Sequence, residues 1–107
     1  MTFTQVEEEA SFPGGATEWT KYLRQNLNAN TPVDEGWSAG IFKVIVKFIV
    51  NKDGTLSDVV TENYAGTKSA QQCIDLIKNG PKWIPAKQNG TTVKSIKKQP
   101  ITYVIEE

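Results

Sequence analysis

This chain of 107 residues predicts a two-layer α+β sandwich. Its three-stranded antiparallel sheet is covered on one face by two helices, in the order αββαβ. Three observations lead there. Residues Ile41 to Val50 alternate as a strand, with Phe42, Val44, Val46, Phe48 and Val50 on one face. Asp53-Gly54 follows at once and turns the chain back as a hairpin. Two other segments, around Trp19 and around Cys73, carry apolar residues at helical spacing. The length suits one domain with its own core.

Residues 1–11 open the chain with a polar, acidic stretch that has no clean period, and they read as a tail or linker end. The domain then runs over residues 12–107. Phe12-Pro13-Gly14-Gly15 is a turn, with Phe12 placed to staple the helix that follows. Trp19, Tyr22, Leu23 and Leu27 give that helix one apolar face over Ala16 to Asn28. Pro32 stops it, because the residue before a proline avoids helical dihedrals. Val33 to Gly40 is a connector holding Trp37.

The strand Ile41 to Val50 is apolar on one whole face, and its other face mixes Ile41, Ile45 and Ile49 with Lys43 and Lys47. A central position suits that pattern, with the lysine stems lying over the second face. Thr55 to Asn63 is the return strand. Ser69 starts the second helix, with Gln72 as a weak capping box and Ala70, Cys73, Ile74 and Ile77 as its stripe. Asn79-Gly80-Pro81 ends it. Trp83 sits in an extended loop between Pro81 and Pro85, and Asn89-Gly90 makes a turn. Val93 to Ile105 is the last strand. Pro100 has no N–H to give a ladder, so this strand belongs at a sheet edge or bulges there. A hairpin followed by a right-handed crossover gives the strand order 2-1-3.

Composition narrows the chemistry. The chain has no histidine, which removes imidazole acid–base schemes, Ser-His-Asp triads and His-ligand metal sites. Its single cysteine, Cys73, makes neither an internal disulfide nor a zinc cluster. Lysine plus arginine and aspartate plus glutamate number 12 each, so no overall field draws the molecule to nucleic acid or anionic lipid. The two ends differ, however. Residues 1–40 carry Lys21 and Arg24 against six acids, a net of −4, and residues 41–107 carry ten lysines against six acids, a net of +4. A basic C-terminal portion can meet an acidic partner segment, or it can simply be a solvated face. The longest apolar run, Ile41 to Val50, is too short for a spanning helix and holds two lysines.

No catalytic constellation emerges, and the chain reads as a non-enzyme without cofactor or metal. Cys73 lies on an apolar helical stripe, where a structural thiol is expected rather than a nucleophile. Asn51-Lys52-Asp53-Gly54-Thr55 lacks the spaced carboxylates of a calcium loop. Asp58, Glu62 and Asp75 form no carboxylate pair, and neither glycine turn has the lysine of a phosphate loop. The tryptophans, with Lys94, Lys97 and Lys98, can be set against a base-stacking surface, but Trp19 and Trp83 fit core positions and no nucleic-acid partner is expected. Backbone chemistry is left. An edge strand has unpaired N–H and C=O groups that can accept an extended peptide. The last strand is the candidate, and its lysines serve equally as guards against unwanted pairing or as contacts to an acidic peptide.

Four phrases, in order, resemble the C-terminal domain of TonB-type energy transducers: Phe12-Pro13-Gly14-Gly15; Val44-Ile45-Val46-Lys47-Phe48-Ile49-Val50-Asn51-Lys52-Asp53-Gly54-Thr55-Leu56; Pro81-Lys82-Trp83-Ile84-Pro85-Ala86-Lys87-Gln88-Asn89-Gly90; and Gln99-Pro100-Ile101-Thr102-Tyr103. Together they span Phe12 to Ile105. The resemblance implies a periplasmic domain tethered to the inner membrane by an upstream segment absent from this chain. It implies coupling of proton-motive force, through inner-membrane proton-channel partners, to outer-membrane transporters. It also implies that the last strand receives the transporter's TonB box as an added strand, with Lys94, Ser95, Ile96, Lys97, Lys98, Ile101, Thr102 and Tyr103 as the docking edge. The chain departs from many relatives at Asn30-Thr31-Pro32, where they carry Tyr-Pro, and at Pro85-Ala86, where Pro-Gly is commoner. A second expectation is a structural or sensory interaction module, fused to another membrane protein and self-associating through the same edge. A monomer or a weak dimer suits both.

Overall fold

The computed structural model describes residues 2–106. Its spine is β1 (Gly40–Val50), paired antiparallel on one side with β2 (Leu56–Thr61) and on the other with the last strand, β5 (Ser95–Ile105). The observed order β2-β1-β5 is the expected 2-1-3. β1 and β5 pair over their whole length without slip, from Gly40 opposite Ile105 to Val50 opposite Ser95. The even-numbered residues Val44, Val46, Phe48 and Val50 of β1 are buried, as are Ile101 and Tyr103 of β5. The pairing of β1 with β2 breaks its register between Lys47 and Ile49, and Asp58 there takes a φ of 52°. This is a β-bulge, which kinks the strand and interrupts its outer edge.

Among the described residues three helices are observed where two were expected. α1 (Gly15–Asn26) stops two residues early because Leu27 turns to extended dihedrals. α2 (Thr31–Asp34) is a single turn inside the expected connector, and the missing N–H of Pro32 costs nothing in its first turn. α3 (Lys68–Lys78) lies on the buried sheet face through Ala70, Cys73, Leu76 and Ile77. Leu76 belongs to the buried stripe and Ile74 to its half-exposed margin. The cap of α3 is Thr67, whose hydroxyl accepts from the amide of Ala70, and not the expected Ser69–Gln72 box. Gln72 instead reaches the α1–α2 loop. It accepts from the Asn28 amide at 2.6 Å and donates to the Asn28 carbonyl at 3.1 Å.

The chain between α3 and β5 folds into a second, smaller sheet. β3 (Ala86–Gln88) and β4 (Thr91–Val93) form a hairpin whose turn residues Asn89 and Gly90 both have positive φ, as an Asn-Gly hairpin requires. The expected last strand therefore divides at Lys94 into β4 and β5. Ahead of β3, Trp83 is buried among aromatic rings, with centroids 5.0 Å from Phe48, 5.7 Å from Phe12 and 5.8 Å from Trp19. α1 buries no residue completely. It packs over this cluster through Trp19 and Tyr22, on the same sheet face as α3, and the Tyr22 hydroxyl donates to the Leu76 carbonyl at 2.6 Å.

Residues 2–11, expected as a tail or linker end, lie along the domain. The Glu8 amide donates to the Lys87 carbonyl while the Glu8 carbonyl accepts from the Lys87 amide, and Ser11 and Ile84 exchange the same pair of bonds. Ala10 is buried. Nothing in the local sequence signalled this, because the contacts are made by the backbone and leave no side-chain period.

Glu35 joins α2 to the start of α3. Its carboxylate accepts from the amides of Lys68 and Ser69 and from the Ser69 hydroxyl, at 2.6–2.8 Å. These are two of the orphan donors at a helix start, where negative charge is also favoured. The Ser69 hydroxyl first, then the two amides against an opposing effect of desolvation, hold the carboxyl below its ordinary 4.5. A depressed folded value means stability that is complete above about pH 4.5 and is lost as pH falls through that lower value. Glu35→Gln is therefore expected to give a shallower acid limb than the wild type when urea midpoints are compared from pH 6 down to pH 3. Parallel acid limbs would refute the linkage.

The β1–β2 hairpin closes as expected, with the Asn51 amide donating to the Thr55 carbonyl and Asp53 accepting from both the amide and the hydroxyl of Thr55. Gly54 has a φ of 85°, and its carbonyl accepts from the Trp83 amide. A Cβ at this position would stand 2.4 Å from the Trp83 carbonyl oxygen. Gly66 has a similar φ of 86°, but a Cβ there meets nothing within 4 Å. Gly66→Ala then measures the left-handed strain alone, about 1–2 kcal/mol. Gly54→Ala adds a backbone collision beneath Trp83 and is expected to cost at least about 2 kcal/mol more in urea unfolding. Equal losses would show that the close approach carries no energy.

Candidate strand-docking edge

Among the described residues β5 pairs with one strand, β1, so one row of its backbone groups faces away from the sheet. Which residues own that row follows from the hydrogen bonds at its start. The Phe3 amide donates to the Lys94 carbonyl, and the Ile96 amide donates to the Phe3 carbonyl, both at 2.9 Å. Lys94 and Ile96 therefore face outward. Because the register with β1 never slips, the same side belongs to Lys98, Pro100, Thr102 and Val104. The odd-numbered residues Ser95, Lys97, Gln99, Ile101 and Tyr103 give their N–H and C=O to β1.

The eight residues assigned to the edge thus divide. Ile96, Lys98 and Thr102 present outward N–H groups, and Lys94 presents an outward carbonyl. Ser95, Ile101 and Tyr103 are buried, with side chains in the core, and Lys97 turns its backbone to β1 opposite Phe48. Their part is to hold the strand in place. Pro100 and Val104 were missed. The signal was available in Pro100: a proline is tolerated where no ladder N–H is needed, and a period of two carries that side to every even position.

From Lys98 to Val104 the outward row is regular and its side chains are exposed at Lys98, Pro100, Thr102 and Val104. Val104 is 54% exposed and pairs with Ile41, 69% exposed, on the helix-free face of the sheet. Lys98 reaches across that face to Glu62 at 3.2 Å. Pro100 leaves one gap in the row, which weakens casual pairing without closing the edge. The opposite edge of the sheet is less suitable. The β2 bulge interrupts it, and the Asn63 side chain fills the next place on β1, accepting from the Ile45 amide and donating to the Lys43 carbonyl.

Behind the edge, Tyr103 ties β5 to α3. Its hydroxyl donates to the Ser69 carbonyl at 3.0 Å and accepts from Gln72 Nε2 at 2.8 Å. Burial pushes this phenol far above its ordinary range. Among the described residues, no group of three or more Cys, Asp or Glu is placed to hold a metal ion. An open groove between α1 and α3 is lined by Tyr22, Asn26, Gln71, Gln72, Asp75 and Leu76. No buried side-chain N or O lacks a partner among the described residues. Among those residues, no helix is long and apolar enough to cross a membrane.

Comparison with protein-family models, with curated proteins and with solved structures finds no match to this chain.

Cys73 is wholly buried, beside the Tyr103 hydroxyl at 3.6 Å, and desolvation pushes its thiol up to about 11. A thiol in that state is a poor nucleophile. Folded protein at pH 8 is expected to resist a disulfide-exchange reagent, and protein in urea to react with one equivalent at once. Rapid labelling of the folded form would overturn the assignment of Cys73 to packing.

Proposed function

We propose that this chain is a non-enzymatic docking domain of a TonB-type energy transducer, working in the periplasm and anchored to the inner membrane through an upstream segment. Its partners are an outer-membrane transporter, whose TonB box adds as a fourth strand along β5, and inner-membrane proteins that supply proton-motive force. The observation that carries this reading is the regular outward row from Lys98 to Val104 on the three-stranded sheet. The ordered sequence resemblance over Phe12 to Ile105 supports it independently.

The physical demands agree. A joint that transmits force must be specific yet short-lived. Each backbone hydrogen bond contributes about 0.5–1.5 kcal/mol net, so a few in a row give a transient complex. Main-chain pairing is indifferent to side-chain identity, which lets one edge serve several transporters. The pull is borne by β5, whose other side is bonded along its full length to β1 and whose Tyr103 is fastened to α3.

The same edge can take a second copy of the chain, and the exposed Ile41–Val104 pair beside it favours that second reading. Light scattering at rising concentration separates the two, since a tight dimer indifferent to peptide belongs to self-association.

Titration of a TonB-box peptide tests the docking. Lys98→Pro and Thr102→Pro each delete one outward N–H and are expected to weaken binding about threefold to tenfold, with the fold intact by circular dichroism. Lys98→Ala keeps the N–H, loses the charge and changes binding far less. If both proline variants fold and bind as the wild type does, β5 is not the docking edge.

A further inference from the structure

The outward row of β5 is not free at its start. Phe3 lies parallel to Ser95 and takes two of the row's groups, the Lys94 carbonyl and the Ile96 amide. The segment that brings it there is fastened unevenly. Its C-terminal half is secured by the paired bonds of Glu8 with Lys87 and Ser11 with Ile84, and by the burial of Ala10. Glu7 adds two bonds to the β3–β4 hairpin, from its own amide to Gln88 Oε1 and from the Asn89 amide to its carboxylate. Among the described residues, Phe3 is held by its two rungs and by a partly buried ring against the core. Segments held by few contacts open first.

Charge follows the same layout. The acidic N-terminal stretch lies against the lysine-rich C-terminal portion, and Glu9 stands 3.7 Å from Lys97. The charge asymmetry of the sequence is thus partly answered within the molecule. Between the segment and the strand runs an open groove of about 570 Å³, with Thr4, Gln5 and Glu9 on one wall and Ile96, Lys97 and Lys98 on the other.

We propose that the N-terminal segment is an internal occupant of the docking edge. An extended guest strand bearing acidic residues pairs first along Lys98 to Val104, then strips Phe3 from Ile96 and takes its place, while residues 8–11 stay fastened. This rests on the docking reading above. It adds that the resting edge is partly covered, and that release of Phe3 sets the affinity.

The probe is a fluorescein-labelled peptide of two glutamates followed by alternating threonine and valine, titrated by anisotropy into the full chain. Phe3→Pro removes the donor to Lys94 and is expected to tighten binding at least fivefold. Lys98→Pro in the same background is expected to reverse that gain. Binding that is sensitive to Lys98→Pro but equal in wild type and Phe3→Pro would overturn the internal occupant and leave the docking edge standing. Binding insensitive to Lys98→Pro, or no binding at all, would overturn both. Should Phe3→Pro fail to fold, amide exchange in the wild type decides. The Phe3 amide is expected to lose protection when peptide saturates and the Ile96 amide to keep it, and a Phe3 amide that stays protected in the complex would refute the displacement.

Discussion

The unbroken pairing of β5 with β1 is the constraint from which the rest of the molecule follows. In a strand, side-chain direction and backbone direction share one period of two, so choosing which residues enter the core also chooses which N–H groups face the partner. β5 buries Ser95, Ile101, Tyr103 and Ile105, and the Tyr103 hydroxyl is the one placed for Ser69 and Gln72. Their burial turns the even-numbered backbone groups outward. A slip of one residue would send Tyr103 into solvent and Pro100 into the ladder against β1, where its missing N–H would break a bond. Core packing and the candidate docking edge are therefore settled by one choice of register.

Around that sheet, the small elements act mainly as fasteners. Trp83 fills the space between α1 and β1, and its backbone is pinned to the hairpin at Gly54. Glu35 and Gln72 reach between α2, α3 and the loop before α2, so the chain segments on the covered face are joined by polar side chains with satisfied partners as well as by apolar burial. The uncovered face, with Ile41, Val60 and Val104 exposed among lysines, has no such cover.

The edge combines attraction and restraint. Exposed backbone groups invite pairing with any extended chain, which is an aggregation hazard. Pro100 deletes one donor, the lysines repel like-charged strands, and Phe3 occupies the first two places. Each measure lowers the strength of casual pairing while leaving a stretch from Lys98 to Val104 that a suitable guest can use. In the docking reading, guarding and binding are two consequences of the same residues, which is why the pattern of lysines alone does not separate them.

Much of the fold was legible in residue order. The alternation from Phe42 to Val50 marked the central strand, Asp53-Gly54 its hairpin, the stripe through Ala70, Cys73 and Ile77 the covering helix, and Pro100 the edge. Each of these is local: a period or a turn residue acts on its immediate neighbours, so a few letters suffice to read it. The outward parity of β5 was implicit in Pro100 and needed the burial of Ile101 and Tyr103 to make it explicit. Other features depended on the tertiary structure because their partners are far apart in the chain and their bonds are made by backbone or by a single polar side chain. Glu35 over the start of α3, Asn63 in place of a strand residue, the division at Lys94, and the laying of residues 2–11 along β3 and β5 belong here. Backbone pairing carries no side-chain signature, so an acidic stretch without period gives the same letters whether it hangs free or closes an edge, and only the folded surface it meets decides between them.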